Sequence, residues 1–250
     1  MELIPIKSPL IKPGGFYKTL IKLLSGQKIE NGDVLALASK VIAIEQNDLV
    51  VIDKIKVGNR ASSLAKKYQM TAPFVQLVIE QADKIIGGVK GTLLTEINGL
   101  VIANAGIDHS NSPKNHYILW PKNPTQAAAK VQKIIKDKFS KKVGIILVDS
   151  HCQPRRLGTS GLALAISGWQ GVIDQRKKKD LYGQTLKITF SNLADDLAAA
   201  SSSLMGEAAE KTPLVLIKQA PIKLSDKSAK QLTGELKMNR GACLFSGSDL

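Results

Sequence analysis

The sequence has few cysteines and aromatic residues, and it has no long hydrophobic run. Its two cysteines, Cys152 and Cys243, are too few for a disulfide framework and lack the spacing of a metal site. No apolar run approaches the ~20 residues that a membrane-spanning helix needs. The N-terminal stretch has no small-residue cleavage site of the kind that marks a secretory signal. We therefore expect a cytoplasmic protein with no membrane partner.

Several common catalytic and nucleotide-binding motifs are also absent from the sequence. There is no G-x-x-x-x-G-K-[ST] and no G-x-G-x-x-G, which mark the P-loop and the dinucleotide-binding turn. H-E-x-x-H, C-x-x-C and G-x-S-x-G are missing too. The three histidines, His109, His116 and His151, have no mutual zinc spacing. His109 and His151 lie beside acidic residues, and we interpret these two first as loop residues.

The formal net charge of +14 is the strongest feature of the composition. Such a charge favours an anionic partner, either nucleic acid or a phosphorylated small molecule. The lysines are spread along the whole chain, with short clusters only at Lys141-Lys142 and 177–179, and no nucleic-acid-binding module is recognisable. We therefore expect no nucleic acid as a main partner. Lysines scattered over solvent-facing surfaces are the alternative explanation of the charge.

The spacing of apolar residues predicts a mixture of helices and strands. Asn98-Gly99, between two short apolar runs, is the clearest hairpin signal and favours antiparallel pairing. We expect an α+β or mixed α/β fold with largely antiparallel sheets and packed helices, in which segment 60–90 is a candidate helical subdomain. Predicted strands cover 1–7, 34–39, 49–52, 92–97, 100–103, 143–148, 162–166, 186–190 and 213–217; predicted helices cover 16–24, 60–69, 73–86, 123–139 and 193–209. Residues 225–250 are polar and weakly patterned.

The stretch 142–161 carries the first candidate site. Val143–Val148 is an unbroken apolar run typical of a strand buried on both faces, and it ends in Asp149-Ser150. Residues 151–161 have no apolar periodicity and include two adjacent arginines, which predicts a loop. A carboxylate and a hydroxyl beside a cationic loop suit a metal ion and phosphates. A strand end with an Asx turn and a solvated loop is the alternative.

The stretch 104–115 carries the second candidate site. It follows the predicted hairpin and places Asp108, His109, Ser110 and Asn111 next to one another. Oxygen ligands at a strand exit suit a hard cation such as Mg²⁺ or Mn²⁺, which keeps water or phosphate as further ligands. A turn would use the same residue types, and the stretch alone does not separate the two.

An ordered set of motifs resembles the coenzyme F(420)-0:gamma-glutamyl ligase family. The motifs are SPLIKPG, GDVLALASKVIAIE, GTLLTEINGLVIANAGID, VGIILVDS, LGTSG, ADDLAAA and LMGE. The resemblance covers residues 1–220 as one ligase domain and leaves 221–250 as an unassigned C-terminal extension. It implies an intertwined homodimer of α+β fold that uses GTP and two divalent ions, Mg²⁺ or Mn²⁺, with K⁺ as a further candidate cation. Such enzymes phosphorylate a carboxylate and join the resulting acyl phosphate to L-glutamate, acting on a deazaflavin coenzyme precursor.

The resemblance also implies roles for individual residues. Asp108 and Asp149 correspond to the first metal site, and Ser150 and Glu207 to the second. Asp149 is further expected to act in catalysis, and three arginines are expected to contact phosphates or substrate carboxylates: Arg155, Arg156 and Arg176. The nucleotide is expected to contact Leu10, Ile11, Lys12, Pro13, Ser39, Lys40 and Asn111, with main-chain contacts from Leu10 and Ile11 because their side chains are expected in the core. An exposed carboxylate at a helix end is the alternative for Glu207.

The sequence departs from the family pattern in the loop after Ser150. Cys152 replaces a glycine, Gln153 an arginine and Arg155 an aromatic residue. Because the expected metal ligands are kept while this loop differs, the same ligation on a changed acceptor, such as a folate-like pterin, is a close alternative. A non-catalytic anion-binding scaffold is a third hypothesis.

Overall fold

The computed structural model describes residues 1–247, which form twelve strands and seven α-helices. The strands are β1 (Glu2–Ile6), β2 (Val34–Ala38), β3 (Leu49–Val51), β4 (Lys84–Val89), β5 (Thr92–Ile97), β6 (Leu100–Ala103), β7 (His116–Ile118), β8 (Gly144–Cys152), β9 (Thr159–Ser167), β10 (Val172–Asp174), β11 (Phe190–Asn192) and β12 (Leu214–Lys218). The helices are α1 (Phe16–Leu24), α2 (Ser39–Glu45), α3 (Asn59–Tyr68), α4 (Ala72–Gln81), α5 (Pro124–Phe139), α6 (Leu193–Met205) and α7 (Ala229–Gly234). The expected α+β class with largely antiparallel sheets is confirmed.

A five-stranded sheet with the order β1-β12-β2-β8-β9 forms the centre of the molecule. Its pairs are antiparallel except for β2 and β8, which run parallel with Val34 opposite Gly144 and Ala38 opposite Val148. The carboxyl ends of these two strands therefore lie at the same edge of the sheet. This edge is where the sequence places Ser39-Lys40 and Asp149-Ser150.

Both faces of the central sheet are covered, as the apolar run in β8 predicts. Side chains alternate between faces along a strand, so Ile145 and Leu147 pack with α1 and α5, whereas Ile146 and Val148 pack with α6 and α7. Leu232 of α7 is fully buried in the second of these clusters. Burial on both faces explains why the sequence of β8 is apolar without alternation from residue 144 to residue 148.

Three smaller sheets complete the fold. The β4-β5-β6 sheet contains the predicted hairpin, and both turn residues, Asn98 and Gly99, adopt positive φ, as a type I′ turn requires. Strand β3 pairs with β7, and the short pair β10–β11 forms an arm with the residues between its strands. Within residues 1–247, no helix is long and apolar enough to cross a bilayer.

Three predicted elements near the site have different bounds in the structure. Strands β8 and β9 continue toward each other until Cys152 pairs with Thr159, so the predicted loop 151–161 is reduced to residues 153–158. Cross-strand hydrogen bonding outweighs the polar composition of those residues. Helix α6 ends at Met205 rather than at residue 209, because Gly206 adopts φ +73 and terminates it.

Elsewhere, one predicted strand is wrong, and several elements were not predicted, namely α2, β4, β7, β10, β11 and α7. Residues 186–189 are not a strand; the apolar side chain of Ile188 is 86% exposed on the β10–β11 arm, without a sheet to bury it. The helix predicted to end at residue 86 stops at Gln81, and the β-branched pair Ile85-Ile86 belongs to β4. Helix α7 lies in the tail and begins with a capping box between Ser228 and Gln231.

Candidate active site

The candidate site begins at the shared carboxyl edge of β2 and β8. Ser39-Lys40 follows β2 as the first turn of α2, and Asp149-Ser150 occupies β8 one register position beyond the parallel pair. Side chains from two distant chain segments therefore meet here because of a single parallel strand pair. Ligands commonly bind beyond the carboxyl ends of parallel strands for this reason.

Asp108 is held against this edge by Lys40. The Nζ atom of Lys40 lies 2.5 Å from Oδ2 of Asp108 and donates to the Oγ and carbonyl oxygens of Ser110 at 3.0 and 3.1 Å. Asp108 accepts hydrogen bonds from the Ser110 backbone N–H at 2.7 Å and hydroxyl at 2.9 Å. Burial alone would raise the pKa of Asp108, but Lys40 and Ser110 together lower it.

The backbone of Asp108 is fixed by exchange of hydrogen bonds with Ile118. The N–H of Asp108 donates to the Ile118 carbonyl at 2.9 Å, and the Ile118 N–H returns the bond at 2.8 Å. Ile118 is buried at the end of β7. The stretch 104–115 therefore forms a tight turn that presents Asp108 at the edge where β2 and β8 end.

Asp149 is partly buried, and burial raises its pKa to about 6. The Ser150 N–H, at 2.8 Å from Oδ1, the Ser39 side chain and the charge of Lys40 oppose this shift, whereas the negative charge of Asp108 adds to it. Asp149 is thus a carboxylate whose surroundings neutralise its charge incompletely. Two acids in this arrangement can accommodate additional positive charge.

Ser150 and Glu207 are in direct contact across the site. The Ser150 hydroxyl donates to Oε1 of Glu207 at 2.8 Å, and the hydroxyl of Thr159 donates to the same oxygen at 3.1 Å. Glu207 follows Gly206 immediately after α6, so the end of that helix is bound to the β8–β9 strand ends. Sequence reasoning assigned no role to Thr159, although it lies in the LGTSG motif; the structure pairs it with Cys152 across the β8–β9 hairpin.

Asn111 contributes the last link of the cluster. Its Nδ2 atom donates to the carbonyl oxygen of Ala208 at 2.7 Å, which ties the Asp108 turn to the segment after α6. The structure thus brings together seven of the predicted site residues: Ser39, Lys40, Asp108, Asn111, Asp149, Ser150 and Glu207. We refer to these seven as the acidic cluster.

Residues 10–13 form an exposed loop immediately before α1. Ile11 packs against the core as expected, but the side chain of Leu10 is 79% exposed, so its expected core position is wrong. Lys12 and Pro13 are exposed. The loop is connected to α2 because Glu45 accepts a hydrogen bond from the Phe16 N–H at 2.6 Å, a link that the sequence did not indicate.

The three predicted arginines lie in two places. Arg155 and Arg156 are exposed on the 153–158 loop, and within residues 1–247 their guanidinium groups form no ion pair. Arg176 instead pairs with Asp174 through three side-chain hydrogen bonds, at 2.9, 3.1 and 2.7 Å, and stacks on Phe190. Its partners belong to the β10–β11 arm, not to the acidic cluster.

The donor set of the acidic cluster is hard and oxygen-rich. Among residues 1–247, no three His, Cys, Asp or Glu side chains are grouped closely enough to form a metal site by themselves. The cluster instead offers two pairs of oxygen donors, Asp108 with Asp149 and Ser150 with Glu207. Such pairs fit Mg²⁺, which is usually held by one or two carboxylates together with waters and phosphates.

The fold and the cluster together define an α+β protein with an oxygen-rich group of acidic and hydroxyl side chains at the edge of its central sheet. The family model for F420-0:gamma-glutamyl ligase matches residues 5–219. Coenzyme F420:L-glutamate ligases of Methanococcus maripaludis and Methanocaldococcus jannaschii are each 36% identical over 233 residues, covering 93% of both chains. The ligase of Methanopyrus kandleri is 33% identical over 87% of this chain and 86% of its own. The chain belongs to the F420-0:gamma-glutamyl ligase family and is a ligase that forms a gamma-glutamyl amide bond.

Proposed function

We propose that the chain joins L-glutamate to the carboxylate of F420-0, using GTP and divalent cations. The observation that carries this proposal is the convergence of Asp108, Asp149, Ser150 and Glu207 beside Lys40. Family membership supports the amide-forming reaction, and the cluster supplies a place for charged phosphates. Non-catalytic anion binding would need no partly buried carboxylate such as Asp149, whose pKa is raised, at that place.

The proposed reaction has two steps, formation of an acyl phosphate and its capture by the amine of L-glutamate. A carboxylate oxygen of the acceptor attacks the γ-phosphorus of GTP, the bond to the β-phosphate oxygen breaks, and an acyl phosphate and GDP form. The amine of L-glutamate then attacks the acyl carbon, phosphate leaves, and the amine loses a proton to solvent or phosphate. Positioning and electrostatic stabilisation supply most of the acceleration in phosphoryl transfer.

Each part of the acidic cluster has a place in this proposal. Asp108 and Asp149 would hold one Mg²⁺ or Mn²⁺ ion and Ser150 and Glu207 a second, whose charge offsets that of the triphosphate when bound. The Lys40 ammonium group pairs with Asp108 and lies where it can bind a phosphate oxygen in place of that carboxylate. Asn111 holds the turn that carries Asp108, and loop 10–13 would contact the nucleotide through its main chain.

The 153–158 loop is the feature that favours the second candidate, the same ligation on a different acceptor. Leu157, Arg155 and Arg156 are all exposed next to the Ser150–Glu207 contact. Two arginines without ion partners can bind the carboxylates of several acceptors, including a folate-like pterin that carries glutamate. Acceptor choice is therefore assigned to this loop and ligation to the cluster.

Product analysis by mass tests both candidates. Purified protein is incubated with GTP or ATP, L-glutamate and Mg²⁺ or Mn²⁺, with and without K⁺, and with either F420-0 or a folate monoglutamate. A gain of glutamyl residues on F420-0 together with GDP release is the expected result. A gain on the folate alone keeps the reaction and replaces the acceptor, and no product with either would overturn the proposal.

We also propose that the protein is a homodimer whose contact includes the β10–β11 arm. The arm exposes four large apolar side chains: Leu181 (101% exposed), Tyr182 (89%), Ile188 (86%) and Phe190 (50%). Several large apolar side chains exposed on one short arm are typical of an interface. Light scattering after gel filtration should give twice the chain mass, and Leu181→Asp with Ile188→Asp should shift the protein toward the monomer. A wild-type protein that elutes as a monomer would refute the assignment.

A further inference from the structure

A second charged site lies at the opposite edge of the central sheet. An open cavity of about 470 Å³ is bounded by the second half of α5, the segment before β8, the residue after β9 and the segment before α7. Lys142 lines this cavity just before β8, and Asp149 of the acidic cluster lies seven residues further along the chain. At ~3.3 Å per residue, the two positions are about 23 Å apart. We call this feature the basic cavity. It is separate from the acidic cluster.

Five lysines and two aspartates line the basic cavity. Lys133 pairs with Asp137 at 2.6 Å, and Lys227 pairs with Glu235 at 2.6 Å. The other three lysines, Lys136, Lys141 and Lys142, form no ion pair within the described chain. Asp226 is the remaining carboxylate of the lining and forms no ion pair among the described residues either, so three ammonium groups share one concave surface with a single unpaired carboxylate. The lining therefore keeps an excess of positive charge, and its like charges repel unless an anion binds.

The polar groups around these lysines match a phosphate better than a carboxylate. The lining contains lysine but no arginine, so it offers compact point charges rather than the planar fork that pairs with a carboxylate. The Ser225 Oγ accepts a hydrogen bond from the Lys227 N–H at 3.3 Å, which leaves its own proton available to a bound oxygen. A cavity of this volume has room for a chain of several phosphates.

We propose that the basic cavity binds a compact polyphosphate anion, either free or as the phosphate chain of a nucleotide. The binding charges are Lys136, Lys141 and Lys142, with Ser225 as a neutral donor. This site does not depend on the proposed ligation, because it shares no residue with the acidic cluster. A protein without ligase activity could still bind at the basic cavity, and the reverse holds as well.

Calorimetric titration of the whole chain with tripolyphosphate tests the proposal. EDTA is present, so that the proposed metal-dependent nucleotide site contributes little. Lys136→Gln with Lys142→Gln should weaken binding roughly tenfold, since two charged contacts are lost. The matched control is Lys56→Gln with Lys66→Gln, which removes the same charge from exposed positions on another surface and should change affinity less than twofold. Lys141→Gln alone serves as a second variant if the pair does not fold.

Each outcome of this titration has a defined meaning. Equal weakening in both double variants would show that only net charge matters and would overturn the site. Unchanged binding in the cavity variants, or no binding by the wild type, would overturn it too. ATP titrated in parallel identifies the source: affinity equal to that of tripolyphosphate indicates that the phosphate chain alone is recognised, and tighter binding that is lost in the cavity variant indicates a nucleotide.

Discussion

The Nζ atom of Lys40 lies 2.5 Å from Oδ2 of Asp108, at the edge where β2 and β8 end together. One side chain comes from the first turn of α2 and the other from a turn that is fixed to β7. In the absence of other cations, Lys40 is the positive charge nearest to Asp108. A divalent ion that binds Asp108 must therefore compete with this ammonium group.

Replacing Lys40 by methionine should change the affinities for metal and for nucleotide in opposite directions. Without the competing charge, we expect the acidic cluster to bind Mn²⁺ roughly three- to tenfold more tightly in the absence of nucleotide, whereas GTP affinity falls by a similar factor. Free Mn²⁺ measured by electron paramagnetic resonance gives the first value, and calorimetry the second. Lys40→Arg, which keeps the charge, is the control. Weaker Mn²⁺ binding by Lys40→Met would contradict the competition between the ammonium group and the metal ion.

Replacing Asp149 by asparagine should abolish ligation while the fold persists. The substitution keeps the size of the side chain but removes the charge expected to bind metal, so we expect product formation to fall by at least about a thousandfold. Product is measured by mass, and folding by circular dichroism. Asp196→Asn, on the exposed surface of α6, removes the same charge away from the cluster and should keep near-normal activity. Retained turnover in Asp149→Asn would refute the assignment of Asp149.

Two substitutions at Glu207 distinguish its charge from its hydrogen bonds. Glutamine keeps an oxygen that can accept from Ser150 and Thr159, whereas alanine removes both contacts. We expect the activity of Glu207→Gln to stay within about tenfold of the wild type. The activity of Glu207→Ala should fall more than about a hundredfold, and this variant should need a higher Mg²⁺ concentration for half-maximal activity. Activity is followed across a Mg²⁺ titration. Equal activities for the two variants would show that the contacts made by the carboxylate oxygen do not matter.

Gly161 is a position where the close approach of β9 and α6 requires glycine. A Cβ atom there would lie 2.3 Å from the carbonyl oxygen of Ala198, a backbone atom that cannot move aside easily. We expect Gly161→Ala to lower the free energy of unfolding by about 2–4 kcal/mol, measured by urea denaturation. Gly87→Ala is the matched control, because nothing lies within 4 Å of its added Cβ. A stable Gly161→Ala variant would mean that α6 can shift away from β9.

The sequence predicted the secondary-structure elements that depend on local pattern. The apolar run ending at Val148 and the Asn98-Gly99 turn determine their own structure, so β8 and the β5–β6 hairpin lie where they were expected. Contacts between distant segments were not predictable from local pattern. The Thr159–Glu207 hydrogen bond and the Glu45–Phe16 link join residues 48 and 29 positions apart. The course of residues 186–189 was mispredicted because apolar composition alone does not show whether a sheet is present to bury it.

Strand β8 has one end buried on both faces and another end that leaves the core at Asp149. The buried part cannot change without disturbing two hydrophobic clusters, whereas residues 153–158 are exposed and can be replaced or lengthened with little effect on folding. The same strand therefore joins a buried segment that tolerates little change, beside the proposed reaction centre, to an exposed loop that tolerates much more. In a lineage that diverged toward new acceptors, substitutions would accumulate in this loop first, and the chemistry would be inherited unchanged.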